Sequence, residues 1–436
     1  MTMTHEAGYL FEAPVASVAP PPVRANGLNE LYSREREGNW AEAPPAPLHW
    51  RVGSPPAAGL PRVVFIPGLM GSGLVDPTAI PQRLWGNITA WVSWNPPPLT
   101  PLPSRMPEWF GRITDGNGVD LPGRVSQAGD VMSLPGLVDP YAPFLRILGG
   151  ATDLLVFTYD WRLSNTISAR ALAEAIRLRW WPEGQPAEVS PEQRVTIITH
   201  SMGGLVARFY IEALGGRSFT QRLITGGTPH LGGPEAYSAF HGKSMPLPWF
   251  GIPPPMQQEL VRAFASTLQL LPVEPFAFSA RSGTTIWETP ATVSYRGMVH
   301  SKTGRTAVDL WELLRPPAGA TRPGLKDPRT LDAWLAGPGL EYHFLAGDGL
   351  PTITFFDRDH NVPVVRPVGD KTVPLMSALL KPPWFSPVNI KQVLFPGVEH
   401  QKIFNTKAVR NYILGQLHLP LLPELAPELV QEGVLV

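Results

Sequence analysis

With 436 residues, 43% of them hydrophobic, the chain is long enough to bury a sizeable core within one elaborated domain. Its 36 Lys and Arg balance 36 Asp and Glu, so the formal net charge is zero and nothing draws it generally to nucleic acid. Cysteine is absent, which excludes disulfides, thiolate metal sites and a cysteine nucleophile.

The first 17 residues do not resemble a signal peptide, and the sequence predicts no membrane-spanning helix. Glu6 and Glu12 lie where a signal peptide would carry basic residues, and no stretch of about 18 apolar residues is free of Gly, Pro or charge. We therefore expect a cytoplasmic or peripheral membrane protein. The 52 prolines are more than twice the usual share of about 5%, and their clusters predict an extended arm over residues 1–60.

Strands and helices alternate along the rest of the chain, as judged from short β-branched runs and from helical spacing of apolar residues. In chain order we predict strands and helices as follows: strand Arg62–Ile66, strand Asp153–Thr158, helix Asn165–Trp180, strand Arg194–Ile198, helix Leu205–Leu214, strands Arg222–Thr225, Glu341–Ala346 and Lys391–Phe395, and helix Lys402–Leu417. This order predicts an α/β fold, with a mostly parallel sheet and helices on both faces.

Two proline-rich blocks interrupt the alternation. We interpret the first, at about residues 75–150, as a lid insertion and the second, at about residues 240–335, as a cap insertion. Both are expected to lie over one end of the sheet. The core domain is then expected to span residues 61–420, with a short tail at 421–436.

The sharpest chemical signal is the run Thr199-His200-Ser201-Met202-Gly203-Gly204, which lies between a predicted strand and a predicted helix. A serine on such a turn needs small neighbours, because its backbone is strained and its hydroxyl must stand clear of the sheet. The usual pattern is G-x-S-x-G, and here Thr199 replaces the first glycine. A lone serine of this kind would more often cap a helix. The strand–turn–helix context favours Ser201 as a nucleophile in an α/β-hydrolase fold.

A serine nucleophile needs a histidine base and a carboxylate that orients it, and both follow the serine in this fold. His400 is the histidine just past the last predicted strand. Asp348 and Asp370 compete as the acid, and each could instead be an ordinary turn residue beside glycine. Asp348 is nearer its strand, but spacing does not decide between them. His230 comes too early in the chain, so we expect it to shape the substrate pocket.

The oxyanion of the reaction should be bound by two backbone N–H groups. We expect them to belong to Met202, after the serine, and to Leu69, in the turn Pro67–Gly71 after the first strand. The alternative is that the glycines of this turn only allow the chain to reverse.

Tryptophans are concentrated in the predicted lid. Trp85, Trp91 and Trp94 lie among prolines, and a tryptophan offers an apolar body with a single polar donor. This composition suits substrate contact and transient docking on a membrane surface. The alternative is that these side chains pack the lid onto the core.

Five blocks occur together in a recognisable order: Phe65–Ser72, Tyr159–Leu163, His200–Gly204, Gly369–Pro374 and His400. They resemble the lecithin:cholesterol acyltransferase family, which includes lysosomal phospholipase A2 and phospholipid:diacylglycerol acyltransferases. The resemblance implies that Asp370 is the catalytic acid, because the family's aspartate lies in its GDxTVP block.

The resemblance further implies an α/β-hydrolase that transfers an acyl group from a lipid ester to water or an alcohol through Ser201, Asp370 and His400. No cofactor or metal is expected. Two alternatives remain: a soluble carboxylesterase that acts on small esters, and a catalytically inactive hydrolase fold used for binding.

Overall fold

The structure is a computed structural model that describes residues 59–76, 82–85, 127–131, 140–161, 165–184, 186, 188–240, 242–243, 265–271, 277–278, 339–357, 360–379 and 390–422. Trp91, Trp94, most of both predicted insertions, and nearly all of the predicted arm and tail lie outside the described residues. Across the described ranges, no helix is both long enough and apolar enough to cross a bilayer.

The chain alternates strands with helices. The strands are β1 (Arg62–Ile66), β2 (Ser72–Asp76), β3 (Gln82–Trp85), β4 (Gln127–Val131), β5 (Asp153–Val156), β6 (Val195–His200), β7 (Thr220–Gly226), β8 (Ala277–Phe278), β9 (Glu341–Asp348), β10 (Thr352–Asp357), β11 (Val362–Arg366) and β12 (Ile390–Pro396). The α-helices are α1 (Ala142–Ala151), α2 (Asn165–Trp180), α3 (Gly203–Ala213), α4 (Pro234–Phe240), α5 (Ala265–Leu268), α6 (Leu375–Ala378) and α7 (Lys407–Gln416). Short 3₁₀ helices span Pro191–Gln193, Gly216–Phe219 and His400–Asn405.

A central sheet of six strands runs in the order β12-β9-β7-β6-β1-β5, and every neighbouring pair in it is parallel. Two smaller sheets, β3-β2-β4 and β11-β10-β8, have three strands each. The predicted α/β class with a mostly parallel sheet is confirmed. The β-branched run of β6 is buried along its whole length, as expected for a strand covered on both faces.

The structure differs from the sequence prediction mainly at loops. Strand β6 continues to His200, so Ser201 follows it directly. The predicted closing helix is two pieces, the 3₁₀ helix His400–Asn405 and then α7. Helix α1 and the hairpin β10–β11 were not predicted. Pro and Gly lie within or next to them in the sequence and obscure the periodicity of their apolar residues.

An aromatic cluster ties the sheet to the chain segment that begins with His400. The ring of Phe404 lies 5.4 Å from that of Phe65 in β1 and 5.3 Å from that of Phe144 in α1, measured between centroids. These contacts fix the end of the His400–Asn405 helix against β1 and α1.

Parallel register brings the carboxyl ends of the strands to one edge. Ile66 at the end of β1 is level with Thr199 in β6, and His200 at the end of β6 is level with Gly226 in β7. Asp348 at the end of β9 is level with Pro396 in β12. The loops that leave these strands therefore start side by side, as is usual for ligand sites in open parallel sheets.

We expect Phe404→Ala to lower the free energy of unfolding by about 3–5 kcal/mol, because a large buried ring would leave a cavity between β1 and α1. Phe404 is 1% exposed, whereas Leu394 in β12 is 45% exposed and serves as the control. Chemical denaturation would measure both, and Leu394→Ala should cost less than about 1 kcal/mol. Similar losses for the two variants would contradict the packing described.

Candidate active site

Ser201 occupies a strained turn between β6 and α3. Its φ is 51°, in the left-handed region that residues with a Cβ rarely adopt. Its N–H donates to the carbonyl oxygen of Gly226 at 2.8 Å, and its own carbonyl oxygen accepts the Thr228 hydroxyl at 2.8 Å. Strand β7 and the loop after it thus hold the turn, and Ser201 lies at the carboxyl edge of the sheet.

The helix after the serine approaches the end of β1 very closely. A Cβ on Gly203 would lie 2.6 Å from the carbonyl oxygen of Pro67 and 2.8 Å from that of Ile66. Glycine is therefore required at this position by sterics, which explains why the second glycine of the G-x-S-x-G pattern is present.

His400 and Asp370 form a buried pair at the same edge. The Nδ1 of His400 lies 2.8 Å from Oδ2 of Asp370, and the carbonyl oxygen of Asp370 accepts the His400 N–H at 2.9 Å. The other carboxylate oxygen, Oδ1, accepts the N–H groups of Thr372 at 3.0 Å and Val373 at 2.7 Å. Both carboxylate oxygens are thus satisfied in a group only 1% exposed, which fixes the direction from which it meets the imidazole.

A hairpin detour brings Asp370 to this place. After β9 the chain runs out through β10 and back through β11, and Gly369 then pairs with Pro374 in an isolated bridge. A Cβ on Gly347 in β9 would lie 2.8 Å from the Cβ of Asp370 and 2.0 Å from the carbonyl oxygen of Val398. The Asp370 loop and the His400 loop thus both cross β9 over a glycine.

Asp348, the competing acid, ends β9. Its carbonyl oxygen accepts the N–H of Gly397 at 2.8 Å, so its backbone helps to shape the loop before His400. Among the described residues, the carboxylate that bonds to the His400 ring is that of Asp370.

The turn after β1 is closed by a hydrogen bond from the N–H of Gly71 to the carbonyl oxygen of Gly68, at 3.0 Å. Met70 within it has a φ of 62°. Within the described part of the chain, the N–H groups of Leu69 and Met202 donate no hydrogen bond. Two unused donors therefore lie in the turns on either side of the cavity, and their use as an oxyanion site stays a prediction.

A largely apolar cavity of about 80 Å³ opens beside the serine. Its wall comes from the turn after β1, from the loop after β7, from α4 and from the segment around α5: Leu69, Met70, Trp161, Ser201, Pro229, Gly233, Glu235, Ala236, Ala239, Thr267, Leu270, Thr372 and Val373. Trp161 and the alanines of α4 were not predicted as site residues from the sequence; small side chains on a short helix such as α4 give no chemical signal.

His230 is not among the residues that line this cavity. Its side chain is fully buried, with Nδ1 3.4 Å from Arg208 and Nε2 3.2 Å from the Thr225 hydroxyl. Burial, with a smaller contribution from Arg208, lowers the pKa of His230 well below its usual range. That His230 shapes the pocket stays a prediction; in the structure its side chain is held by Arg208 and Thr225, next to the lining residue Pro229.

The predicted lid tryptophans are only partly placed. Trp85 lies in β3, opposite Leu74 of the antiparallel strand β2. Trp91 and Trp94 are outside the described residues, so contact of the lid with substrate or with a membrane stays a prediction.

Part of the sequence matches a known protein family. The sequence profile of the lecithin:cholesterol acyltransferase family matches residues 150–310. Over this segment the chain is similar to the lecithin:cholesterol acyltransferase family, and its parallel sheet with flanking helices has the α/β-hydrolase fold. The matched segment contains Ser201 but neither Asp370 nor His400, and it points to an enzyme of the lipase and esterase type. No curated protein sequence matches the chain.

Several solved structures are similar to this chain. The Tle4–Tli4 complex aligns with a TM-score of 0.48 at 16% identity, over 83% of this chain and 99% of the other. The mature lipase BlEst2 of Bacillus licheniformis aligns with a TM-score of 0.36 at 14% identity, over 84% and 99%. A monoacylglycerol lipase of Paleococcus ferrophilus aligns with a TM-score of 0.31 at 12% identity, over 64% and 88%.

We expect Asp370→Asn to lower kcat on a short nitrophenyl ester by on the order of 10⁴-fold, because an amide lets the imidazole of His400 take the wrong tautomer. Asp348→Asn is the matched control, since it makes the same change one loop away and should alter kcat less than about threefold. Steady-state kinetics on both variants would measure the effect. The reverse order of losses would assign the acid to Asp348.

Proposed function

We propose that the protein is a serine-dependent lipid acyl hydrolase or O-acyltransferase that works through an acyl-Ser201 intermediate. The observation that carries the proposal is the buried hydrogen bond between His400 and Asp370 at the sheet edge where Ser201 stands on its strained turn. Such a pair orients an imidazole for proton transfer, whereas a binding scaffold has no need of it.

In the first half of the reaction, the Oγ of Ser201 attacks the acyl carbonyl carbon and its proton passes to Nε2 of His400. Asp370 holds the Nδ1–H and stabilises the imidazolium that forms. The N–H groups of Leu69 and Met202 bind the oxyanion of the tetrahedral intermediate. When this collapses, the alkoxide of the substrate leaves, takes the proton from His400, and departs as an alcohol.

In the second half, water or an acceptor alcohol gives its proton to His400 as its oxygen attacks the acyl-serine. The new tetrahedral intermediate collapses, Ser201 recovers the proton, and a carboxylic acid or a new ester is released. The same three side chains serve both acceptors, so the choice between hydrolysis and transfer depends on what reaches the acyl-serine.

The apolar wall of the cavity supports an acyl chain as the group that is bound. Leu69, Met70, Leu270 and Val373 offer carbon surface, and burying each methylene of a chain contributes about 0.8 kcal/mol. The volume favours a second candidate, a carboxylesterase for short esters, because about 80 Å³ is less than the ~150 Å³ that accommodates benzene.

We expect Ser201→Ala to abolish labelling by a fluorophosphonate and to lower kcat by about 10⁶-fold, since the nucleophile is lost. Ser190→Ala, at an exposed serine in a loop, is the control and should keep both. Vesicles of mixed phospholipid, with and without an added long-chain alcohol, would report fatty acid or new ester by lipid analysis. Labelling without lipid turnover, together with hydrolysis of butyrate, would select the carboxylesterase.

We expect Ala236→Leu to lower kcat/KM for a decanoate ester relative to an acetate ester by at least about tenfold, because added carbon on α4 competes with the acyl chain for space. Ala173→Leu, at a half-buried alanine of α2 outside the cavity, is the matched control. Kinetics on an ester series of increasing chain length would measure the ratio. An unchanged ratio in Ala236→Leu would place the acyl chain elsewhere.

A further inference from the structure

The residue before the serine takes part in a buried hydrogen-bond chain that no step of the proposed reaction uses. His200 is 2% exposed, and its Nε2 lies 3.0 Å from the carbonyl oxygen of His400. Its Nδ1 lies 2.7 Å from the hydroxyl of Tyr141, which also accepts the N–H of Gly68 at 3.2 Å. These hydrogen bonds thus connect three segments: the turn Pro67–Gly71, called the oxyanion turn below, the turn that carries Ser201, and the loop that carries His400.

The direction of every hydrogen bond in this chain follows from its two ends. A carbonyl oxygen only accepts, so Nε2 of His200 carries a proton and donates to His400. In a neutral imidazole Nδ1 is then an acceptor, and the Tyr141 hydroxyl must donate to it. The hydroxyl oxygen also accepts the N–H of Gly68. The hydroxyl thus donates one of these hydrogen bonds and accepts the other, and the assignment is consistent along the whole chain.

We propose that Tyr141 and His200 are positioning residues, which hold the oxyanion turn and the His400 loop at a fixed distance from Ser201. The inference rests on the proposed function, because it assigns these residues a role in that same acyl transfer. Neither side chain makes a hydrogen bond to the Ser201 hydroxyl or to the His400 ring, so their effect passes through Gly68, through the backbone of His400 and through packing against its ring.

Packing shows that the arrangement has little room to move. The ring of His200 lies 4.7 Å from the ring of His400 and 5.8 Å from that of Phe404, and the ring of Tyr141 lies 5.3 Å from that of Phe65. Gly68 fits so tightly that a Cβ there would lie 2.8 Å from the Cβ of Ser201. A shift of the turn would therefore be felt at the nucleophile.

Both residues keep their neutral forms in this setting. Burial, with a smaller contribution from His400, lowers the pKa of His200 well below its usual range. Burial also raises the pKa of the Tyr141 hydroxyl. His200 therefore does not compete with His400 for the proton of Ser201, although the two rings are in contact.

The catalytic consequence follows from the sensitivity of acyl transfer to geometry. Leu69, which would supply one oxyanion donor, is the residue after Gly68, and a misplacement of about 1 Å can cost about 10²-fold in rate. The hydroxyl of Tyr159 donates to the carbonyl oxygen of Pro67 at 3.1 Å, so the turn stays attached at its start even without Tyr141. Removing the Tyr141 hydroxyl should thus misplace the turn without unfolding it.

The test compares Tyr141→Phe with Tyr342→Phe. Both changes remove one buried, hydrogen-bonded hydroxyl, but that of Tyr342 donates to Glu212 at 3.0 Å, away from the serine. Sites that react with a fluorophosphonate at completion are counted first, so that kcat is expressed per reactive serine. We expect Tyr141→Phe to lower this kcat by about 10–100-fold with KM within about twofold, and Tyr342→Phe to leave both unchanged.

A transition-state readout separates positioning from stability. A trifluoromethyl ketone adds to a serine as a hemiketal whose oxygen occupies the oxyanion site. Its affinity in Tyr141→Phe should fall by the same factor as kcat/KM, because both report the geometry of the transition state. A variant that is merely less stable would bind the ketone normally at each reactive site.

Substitutions of His200 supply a second, independent test. His200→Gln keeps an N–H that can reach the His400 carbonyl and should retain most of the activity, whereas His200→Leu should lose about as much as Tyr141→Phe. If the two residues act as one unit, the double variant Tyr141→Phe/His200→Leu should be no slower than the slower single variant.

Three results would overturn the inference: unchanged kcat per reactive serine in Tyr141→Phe, equal losses in Tyr141→Phe and Tyr342→Phe, or additive losses in the double variant. A failure of the proposed function looks different, since the unmodified protein would then react with neither the fluorophosphonate nor an ester, and the inference would fall with it.

Discussion

Where α3 begins, its backbone approaches the end of β1 so closely that only glycine fits at position 203, and the rest of the site depends on this contact. The contact sets how far the serine turn stands from the turn after β1. Ser201, two residues before Gly203, has a strained φ, which strand β7 and the loop after it stabilise through the bonds to Gly226 and Thr228. Packing against the sheet thus determines where the hydroxyl of Ser201 and the unused N–H groups of Leu69 and Met202 lie.

The three buried histidines at this edge of the sheet differ in the charge of their hydrogen-bond partners. His200 and His230 are both buried histidines with lowered pKa values, and each is held by neutral or cationic partners. His400 is paired instead with the carboxylate of Asp370, whose second oxygen is fixed by backbone N–H groups. The partner of each imidazole, more than its distance from Ser201, distinguishes the proposed base from its neighbours.

Features that depend on local patterns could be predicted from the sequence and agree with the structure. Features that depend on contacts between distant residues could not be predicted from the sequence. The strand–turn–helix around Ser201 could be predicted because β-branched residues and glycines act within a few positions. Spacing alone left Asp348 and Asp370 open, because the detour through the hairpin β10–β11 returns the later aspartate to the end of β9. Tyr141 lies within a predicted insertion and 59 positions before His200, so no local pattern in the sequence predicts their contact.

The two predicted insertions reach the site in different ways. The block at about 75–150 ends in α1, whose flanking residue Tyr141 touches the backbone of the oxyanion turn and His200, but is not part of the cavity wall. The block at about 240–335 supplies Thr267 and Leu270 to that wall. Changes near the first should therefore alter the rate for all esters alike, whereas changes near the second should alter which acyl group is accepted. The cavity wall also includes Leu69 of the turn after β1 and Val373 of the Asp370 loop, so the segments that hold the proposed catalytic groups form part of the proposed acyl site as well.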